Sequence, residues 1–162
     1  MSVAMAEGAE LFIARASLVD AYDLASLRAA SLEEMGLLEP AARAPFVDRA
    51  HREFRLLLRE ERMAAWMLVA ASRPVGCAAA LLWQRLPYPT SSLHAEIAGV
   101  YVEPAHRGNG YGSEMVREAI SWARAAGVRK IVLHPSGAAR GLYERMGFVD
   151  GNEMRLGENY SA

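Results

Sequence analysis

Cysteine is almost missing from this sequence: Cys77 is the single one among 162 residues. One cysteine cannot form a disulfide within the chain, so we expect a protein of a reducing compartment such as the cytoplasm. An excess of charge of either sign is also missing, since 18 basic residues stand against 19 acidic ones. The chain therefore lacks the strong positive field on which nonspecific nucleic-acid binding depends, and we expect no nucleic-acid partner.

Long apolar runs are missing as well. The longest one, over residues 63–71, has about half the length needed to cross a bilayer. Residues 1–10 contain no basic start followed by an apolar core, so we expect neither a secretory signal nor a membrane anchor. Apolar residues nevertheless make up 52% of a chain whose length is typical of one domain. Since no repeat or linker divides it, the sequence predicts a single globular domain over residues 1–162.

Hydrophobic periodicity predicts a mixed α/β architecture. Helices are predicted over residues 20–32, 45–62, 110–126 and 138–146. Strands are predicted over residues 12–15, 66–71, 75–84, 94–102 and 130–133, with short strands finishing the chain. Hairpin strands come first and a strand-helix-strand unit follows. This order predicts a mixed, mostly antiparallel sheet with a parallel pair at its centre and helices on both faces.

The most informative segment is a glycine-rich turn between predicted strand 94–102 and predicted helix 110–126. It reads Arg-Gly-Asn-Gly-Tyr-Gly over residues 107–112. Glycine lets a backbone approach a ligand without a Cβ in the way. A helix start directs free N–H groups and the positive end of its dipole at the same point. The pattern therefore predicts a pyrophosphate cradle made of backbone amides, with the charge of Arg107 added.

A glycine-rich turn also occurs in two other nucleotide-binding folds. A P-loop requires a Gly-Lys-Ser/Thr ending, and this turn contains no lysine. A dinucleotide-binding fold requires an acidic residue about 20 positions further on, where this chain has Leu133 and His134. The remaining alternative is a turn that needs glycine only for its conformation, although three glycines are destabilising without a reason.

The turn resembles the Arg/Gln-x-x-Gly-x-Gly/Ala signature of the GNAT acetyltransferases, and an apolar strand ending Val-x-Pro precedes it as in that family. The sequence Leu-Tyr-Glu-Arg-Met-Gly-Phe at 142–148 is similar to the family's Leu-Tyr-Glu-Lys-x-Gly-Phe element. The resemblance covers residues 94–156, and upstream only the order of elements agrees. It implies the acyl-CoA N-acyltransferase fold, in which the two central parallel strands splay apart and the thioester lies in the gap.

The resemblance implies an enzyme that transfers the acetyl group of acetyl-CoA to a primary amine by direct attack in a ternary complex. The amides of residues 107–112 would bind the pyrophosphate, and the strand before them would pair its backbone with the pantetheine arm. Serine stands at position 136, where the family usually has asparagine. The cofactor-binding residues predicted in this way are Val100, Val102, Arg107, Gly108, Asn109, Gly110, Tyr111, Gly112, Ser113 and Ser136.

Two proton transfers define the candidate catalytic residues. Tyr143 occupies the position of the family's catalytic tyrosine, and a phenol can protonate a departing thiolate; a core tyrosine is the alternative. Glu96 is the candidate base, since it stands six residues before Val102 and a regular strand would place both side chains on one face. A strand-end glutamate facing solvent or pairing with an arginine is its alternative. His134 could relay a proton at the edge of the gap or simply bond to a turn.

The remaining expectations concern partners. The four histidines and the cysteine lack metal-ligand spacing, so the sequence predicts no metal. The resemblance implies a small-molecule or peptide amine as acceptor, lying against the first two helices and the loop over residues 87–92. Members of the family often form homodimers, so the resemblance also allows a homodimer. The alternative function is a non-catalytic acyl-CoA sensor or regulatory module that keeps the cradle. Tyr143 favours the enzyme, because a sensor needs no acid beside the sulfur.

Overall fold

The computed structural model describes residues 11–154, and over this range five strands form one mixed sheet in the order β1-β2-β3-β4-β5. Neighbours pair antiparallel from β1 to β4, and β4 pairs parallel with β5. The predicted mixed sheet is thus confirmed, although β2 begins three residues before its predicted start and the parallel pair lies at the edge of the sheet formed by residues 11–154 instead of at its centre. The strands are β1 Leu11–Arg15, β2 Met63–Ala70, β3 Arg73–Gln84, β4 Leu93–Val102 and β5 Lys130–Leu133.

Three of the four α-helices within residues 11–154 lie between strands and the fourth follows β5, and their positions agree with the apolar periodicity. Gly127, with a φ of +83°, follows the third helix and ends it in the left-handed conformation that glycine adopts without strain. None of the helices in the described part of the chain is long and apolar enough to cross a membrane. The helices are α1 Ala21–Glu34, α2 Arg43–Arg59, α3 Tyr111–Ala125 and α4 Arg140–Arg145.

Helices cover both faces of the sheet, as predicted. On one face, α3 buries its apolar stripe, including Met115 and Val116, against the cluster around Trp66 and Leu68. On the other face, α1 and α2 pack against the intervening residues of β2 and β3, such as Met67, which lies between Trp66 and Leu68. The sheet therefore separates two layers, one formed by α3 and α4 and the other by α1 and α2.

A β-bulge interrupts β4 and changes which face its later residues occupy. Cys77 pairs with Tyr101 and Ala79 with Ala98. Two residues of β4, Gly99 and Val100, therefore lie opposite the single residue Ala78 of β3. Gly99 has a φ of +63°, which a non-glycine residue adopts only with strain. A glycine inside an apolar strand is the sequence signal for such a bulge.

The bulge overturns the prediction that Glu96 and Val102 share a face. Val102 packs into the α3 layer, and so does Ile97, although the two are five positions apart and strict alternation would place them on opposite faces. Glu96 is the neighbour of Ile97 and pairs with Leu81 of the opposite layer, so its side chain lies on the α1/α2 face. Side chains of a regular strand alternate between the two faces of the sheet. The extra residue of the bulge reverses this alternation for all residues of β4 that follow it.

The predicted strands at the end of the chain are not found in the described segment 146–154, and residues 155–162 lie outside the described residues. Val149 and Met154 expose about nine-tenths of their surface or more (87% and 98%). A segment with its apolar side chains exposed has no buried face to fix a strand register. Within residues 11–154, the outer edge of β5 consequently has no strand partner.

Gly76 of β3 should be the glycine whose replacement most damages the sheet. An added Cβ would lie 2.8 Å from the carbonyl oxygen of Tyr101 and 3.3 Å from Cβ of Leu68. Since neither neighbour is the end of a flexible chain, we expect Gly76→Ala to lower the free energy of unfolding by about 1–3 kcal/mol in urea denaturation. Gly151→Ala is the control, because nothing lies within 4 Å of its Cβ position. Equal stability of the two variants would contradict this close packing.

Candidate active site

The glycine-rich turn forms a concave surface of free amides at the start of α3. Gly108 and Gly110 both have a φ of +82°, and a Cβ built on either one meets no atom within 4 Å. The first amide bonded within the helix is that of Glu114, which donates to the carbonyl of Gly110 at 3.0 Å. The N–H groups of residues 111–113 therefore have no helical acceptor, and they lie at the positive end of the helix dipole. This is the geometry that binds anions.

Two side chains of the turn stabilise its backbone conformation through hydrogen bonds. Arg107 donates from Nε to the carbonyl of Val102 at 2.7 Å and from Nη2 to Glu34 at 2.7 Å. Asn109 donates from Nδ2 to the carbonyl of Arg107 at 3.2 Å. The bond from Arg107 lowers the pKa of Glu34, so that carboxylate stays ionised and balances the guanidinium. Arg107 is thus paired with a carboxylate of α1. An anion at the turn would therefore be bound by the backbone amides.

Strands β4 and β5 stop pairing before β4 reaches this turn, and we call the space between them from there on the gap. The parallel pairing covers only four residues, from His94 opposite Lys130 to Ile97 opposite Leu133. From Ala98 onward, β4 has no partner on that side within residues 11–154. Val100 and Val102 stand on this open length, half-buried against the α3 layer. Strand β4 therefore offers an unpaired edge that leads from the bulge to the cradle.

Tyr143 lies on the α3/α4 side of the gap. It is 8% exposed within the main apolar cluster, and its ring meets Phe148 edge to face with the centroids 5.9 Å apart. Burial raises the pKa of the phenol, which therefore stays protonated well into the alkaline range. Ser136 is exposed at the turn before α4, and its carbonyl accepts from the amide of Arg140 at 3.1 Å.

Glu96 and His134 meet on the other side of the gap. Nδ1 of His134 lies 3.3 Å from Oε1 of Glu96, and 74% of the histidine side chain and 40% of the glutamate side chain are exposed. The two residues come from the neighbouring strands β4 and β5, on the α1/α2 face. The candidate acid Tyr143 and the candidate base Glu96 thus occupy opposite faces of the sheet, with the gap between them.

One buried polar group on this face was not singled out by the sequence. His94 is 3% exposed, and its ring meets Trp83 with the centroids 4.7 Å apart. Its Nε2 lies 3.1 Å from Nη1 of Arg85, which can only donate, so Nε2 must accept and the proton belongs on Nδ1. Burial, together with the charges of Arg85 and Lys130, lowers the pKa of His94 and keeps it neutral. No partner for Nδ1 is found among residues 11–154.

Known proteins share both this sequence pattern and this fold. Residues 29–148 match the family described as "Acetyltransferase (GNAT) family". A glucosamine 6-phosphate N-acetyltransferase 1 of Oryza sativa subsp. japonica is 27% identical over 139 residues, which are 82% of this chain and 84% of the rice protein.

Two solved structures show the likeness in three dimensions. A predicted acetyltransferase from Clostridium acetobutylicum, crystallised with acetyl-CoA, superimposes with a TM-score of 0.79 at 25% identity, covering 91% of this chain and 96% of that one. A GCN5-related N-acetyltransferase from Ralstonia eutropha JMP134 gives a TM-score of 0.79 at 21% identity, over 91% and 98% of the two chains. With the family match spanning most of its length, this chain belongs to the GNAT family of acetyltransferases.

Proposed function

We propose that this protein binds acetyl-CoA and transfers its acetyl group to a primary amine by direct attack in a ternary complex. The observation that carries the proposal is the continuous open path along β4. It runs from the bulge at Gly99, past the unpaired edge of residues 98–102, to the free amides of residues 111–113. A pantetheine arm, which carries two amides along its length, fits an unpaired strand edge, and a pyrophosphate fits a helix start.

The turn would hold the pyrophosphate through backbone N–H groups. Gly108 and Gly110 leave open space where a side chain would otherwise stand. Tyr111, Gly112 and Ser113 supply the amides of the first turn of α3. Arg107 and Asn109 keep the turn in shape through their bonds to neighbouring carbonyls. The side chain of Ser136 is free to donate to the ligand at the opposite side, as the family's asparagine would.

The chemistry requires a base for the ammonium and an acid for the thiolate, and the two candidates lie on opposite sides of the gap. Glu96, directly or through a water, takes a proton from the ammonium form of the acceptor, and the free amine attacks the thioester carbonyl carbon. The C–S bond then breaks, and the departing thiolate takes the proton of the Tyr143 phenol. The nitrogen of the new amide still carries two protons at this stage. It gives one of them to the Tyr143 phenolate, which restores the phenol. The products are an acetamide and the free thiol of CoA.

The placement of these groups supports separate entry of the two substrates. Acetyl-CoA would lie on the α3/α4 side, with its sulfur near Tyr143. The amine would approach from the α1/α2 side, where Glu96 and His134 are exposed to solvent. Since neither substrate blocks the path of the other, a ternary complex is sterically consistent.

Titration of the purified protein with acetyl-CoA, followed by an assay of free thiol over a panel of amines, tests the proposal. We expect saturable binding and thiol release that depends on the amine. Absence of acetyl-CoA binding by the folded protein would overturn it. Binding without turnover of any amine would instead favour the alternative, a non-catalytic acyl-CoA sensor.

Replacement of Glu96 tests the base. We expect Glu96→Gln to lower kcat/KM about 100-fold at neutral pH while leaving acetyl-CoA binding unchanged, because the amide cannot accept the ammonium proton. The loss should shrink as the pH rises, since a larger fraction of the amine then arrives without its extra proton. The measurement is the pH profile of kcat/KM for both proteins.

Glu118→Gln is the matched control, because it removes an exposed carboxylate of α3, in the layer opposite to Glu96. It should leave the rate near that of wild type. A Glu96→Gln variant that keeps the wild-type rate across the profile would show that water alone accepts the proton.

A further inference from the structure

A small hollow lies beneath the bulge of β4 on the acceptor side of the sheet. Its volume is about 30 Å³, and Cys77 and Gly99 form its floor. Cys77 donates from Sγ to the carbonyl of Gly99 at 3.3 Å. Leu24, Phe54 and Arg28 line it from above, and the arginine is the one charged residue of the lining. The hollow thus brings Arg28 of α1 next to the bulge of β4, just beyond the point where β4 loses its pairing with β5.

Arg28 differs from the other half-buried arginine of the described residues. Arg43 is also half-buried, but it pairs with Glu33 and donates to the carbonyl of Ser26 at 3.2 Å. No carboxylate of residues 11–154 lies within ion-pair distance of Arg28. Partial burial of a cation without a counter-charge is unfavourable, so a bound anion would stabilise this site.

Two other observations locate the charge of Arg28. Arg28 and Cys77 line the same hollow; burial raises the pKa of the Cys77 thiol to about 12, and the charge of Arg28 opposes this rise. Helix α1, which carries Arg28, packs over both β3 and β4. Arg28 therefore lines the hollow from α1, next to the apolar side chains of Leu24 and Phe54.

We propose that Arg28 binds an anionic group of the acceptor, so that the substrate is a small amine carrying a carboxylate or a phosphate. The inference rests on the proposed acetyl transfer, and it adds the class of acceptor. Arg28 acts as a specificity residue, because its guanidinium offers paired N–H donors that suit either oxyanion.

The spacing of the groups limits the size of this acceptor. Glu96 precedes Gly99 by three residues, which is about 10 Å along a strand. The nitrogen of the acceptor would lie by Glu96 and its anion by Arg28. The sheet between them contains Ala79 and Ala98, which pair across β3 and β4 and have short side chains. An amine whose anion lies within about 10 Å of its nitrogen fits this distance.

Two matched pairs of amines test the inference by calorimetric titration into protein saturated with CoA. Glucosamine 6-phosphate is compared with glucosamine, and γ-aminobutyrate with butylamine, so that the phosphate and the carboxylate are tested separately. We expect at least one anionic amine to bind roughly tenfold or more tightly than its neutral partner, with the same preference in kcat/KM. The pair of amines that shows the preference identifies whether the phosphate or the carboxylate is recognised.

Variants at position 28 assign the preference to the arginine. Arg28→Gln should abolish it while acetyl-CoA binding and the melting temperature stay unchanged, and Arg28→Lys should restore part of it. Arg52→Gln removes the same charge from an exposed position of α2 and should keep the full preference.

Equal binding of the charged and neutral amines to wild type, or a preference that survives in Arg28→Gln, would overturn the proposal. Binding of none of the four amines to the CoA complex would overturn it too. Failure of acetyl transfer as such is a separate result, because it would appear as loss of acetyl-CoA binding or of turnover with every amine.

Discussion

Tyr143→Phe should lower kcat roughly 100- to 1,000-fold and leave the affinity for acetyl-CoA almost unchanged. The phenol is the one group on the α3/α4 side of the gap that we propose as proton donor to the leaving thiolate, and general acid catalysis contributes in this range. The change removes a single oxygen atom. The ring keeps its edge-to-face contact with Phe148 at 5.9 Å, so the melting temperature should stay close to that of wild type.

The pH profile of kcat gives the same prediction a second readout. Burial raises the pKa of Tyr143 above its usual value of about 10, so the acid form is present throughout the neutral and mildly alkaline range. An acid must be protonated to act, so the alkaline fall of the rate should come when the pH rises through this raised pKa. The alkaline fall should disappear from the residual activity of Tyr143→Phe.

Tyr22→Phe serves as the control, because it removes a phenol that is 53% exposed on α1 and contacts His51 instead of the gap. It should keep the wild-type rate and profile. If Tyr143→Phe retained wild-type kcat, another donor or water would have to protonate the sulfur, and Tyr143 would be a core residue of α4.

Much of the fold could be predicted because its signals are local. The apolar stripe of α3, the stop at Gly127 and the glycine turn before the helix are each set by a few neighbouring residues. The parallel pairing of β5 with β4 also follows from the strand-helix-strand order, which leaves few topologies. The family could be identified from the turn and the Leu-Tyr-Glu element, since both are short contiguous motifs.

The parts that escaped prediction depend on contacts between distant residues. The bulge at Gly99 moved Glu96 to the face opposite Val102, because one extra residue reverses strict alternation. Arg107 finds its counter-charge in Glu34, 73 positions earlier, so no local pattern could assign the pair. Arg28 appears in the predicted helix 20–32 without any mark of function. Only the packing of α1 over β3 and β4 brings it to the hollow.

The second large effect should come from Gly110→Val, which we expect to weaken acetyl-CoA binding about 100-fold or more. Space beside Gly110 is open in the protein itself, with no atom within 4 Å of the Cβ position, so the ligand and not the fold is expected to need it. A branched side chain there would hold the pyrophosphate away from the amides of residues 111–113. Hydrogen bonds to charged groups contribute about 1.5–3 kcal/mol each, so loss of two of them accounts for the factor.

Backbone strain must be separated from this loss of contact, and Gly127→Val provides the comparison. Gly127 has a φ of +83° against +82° at Gly110, and its Cβ position is equally open, but it lies at the other end of α3. Both variants should lose a similar free energy of unfolding, about 1–2 kcal/mol from the left-handed conformation. Only Gly110→Val should lose acetyl-CoA in calorimetric titration. If the two variants bound acetyl-CoA equally well, the turn would be glycine-rich for its conformation alone, and the pyrophosphate would have to bind elsewhere.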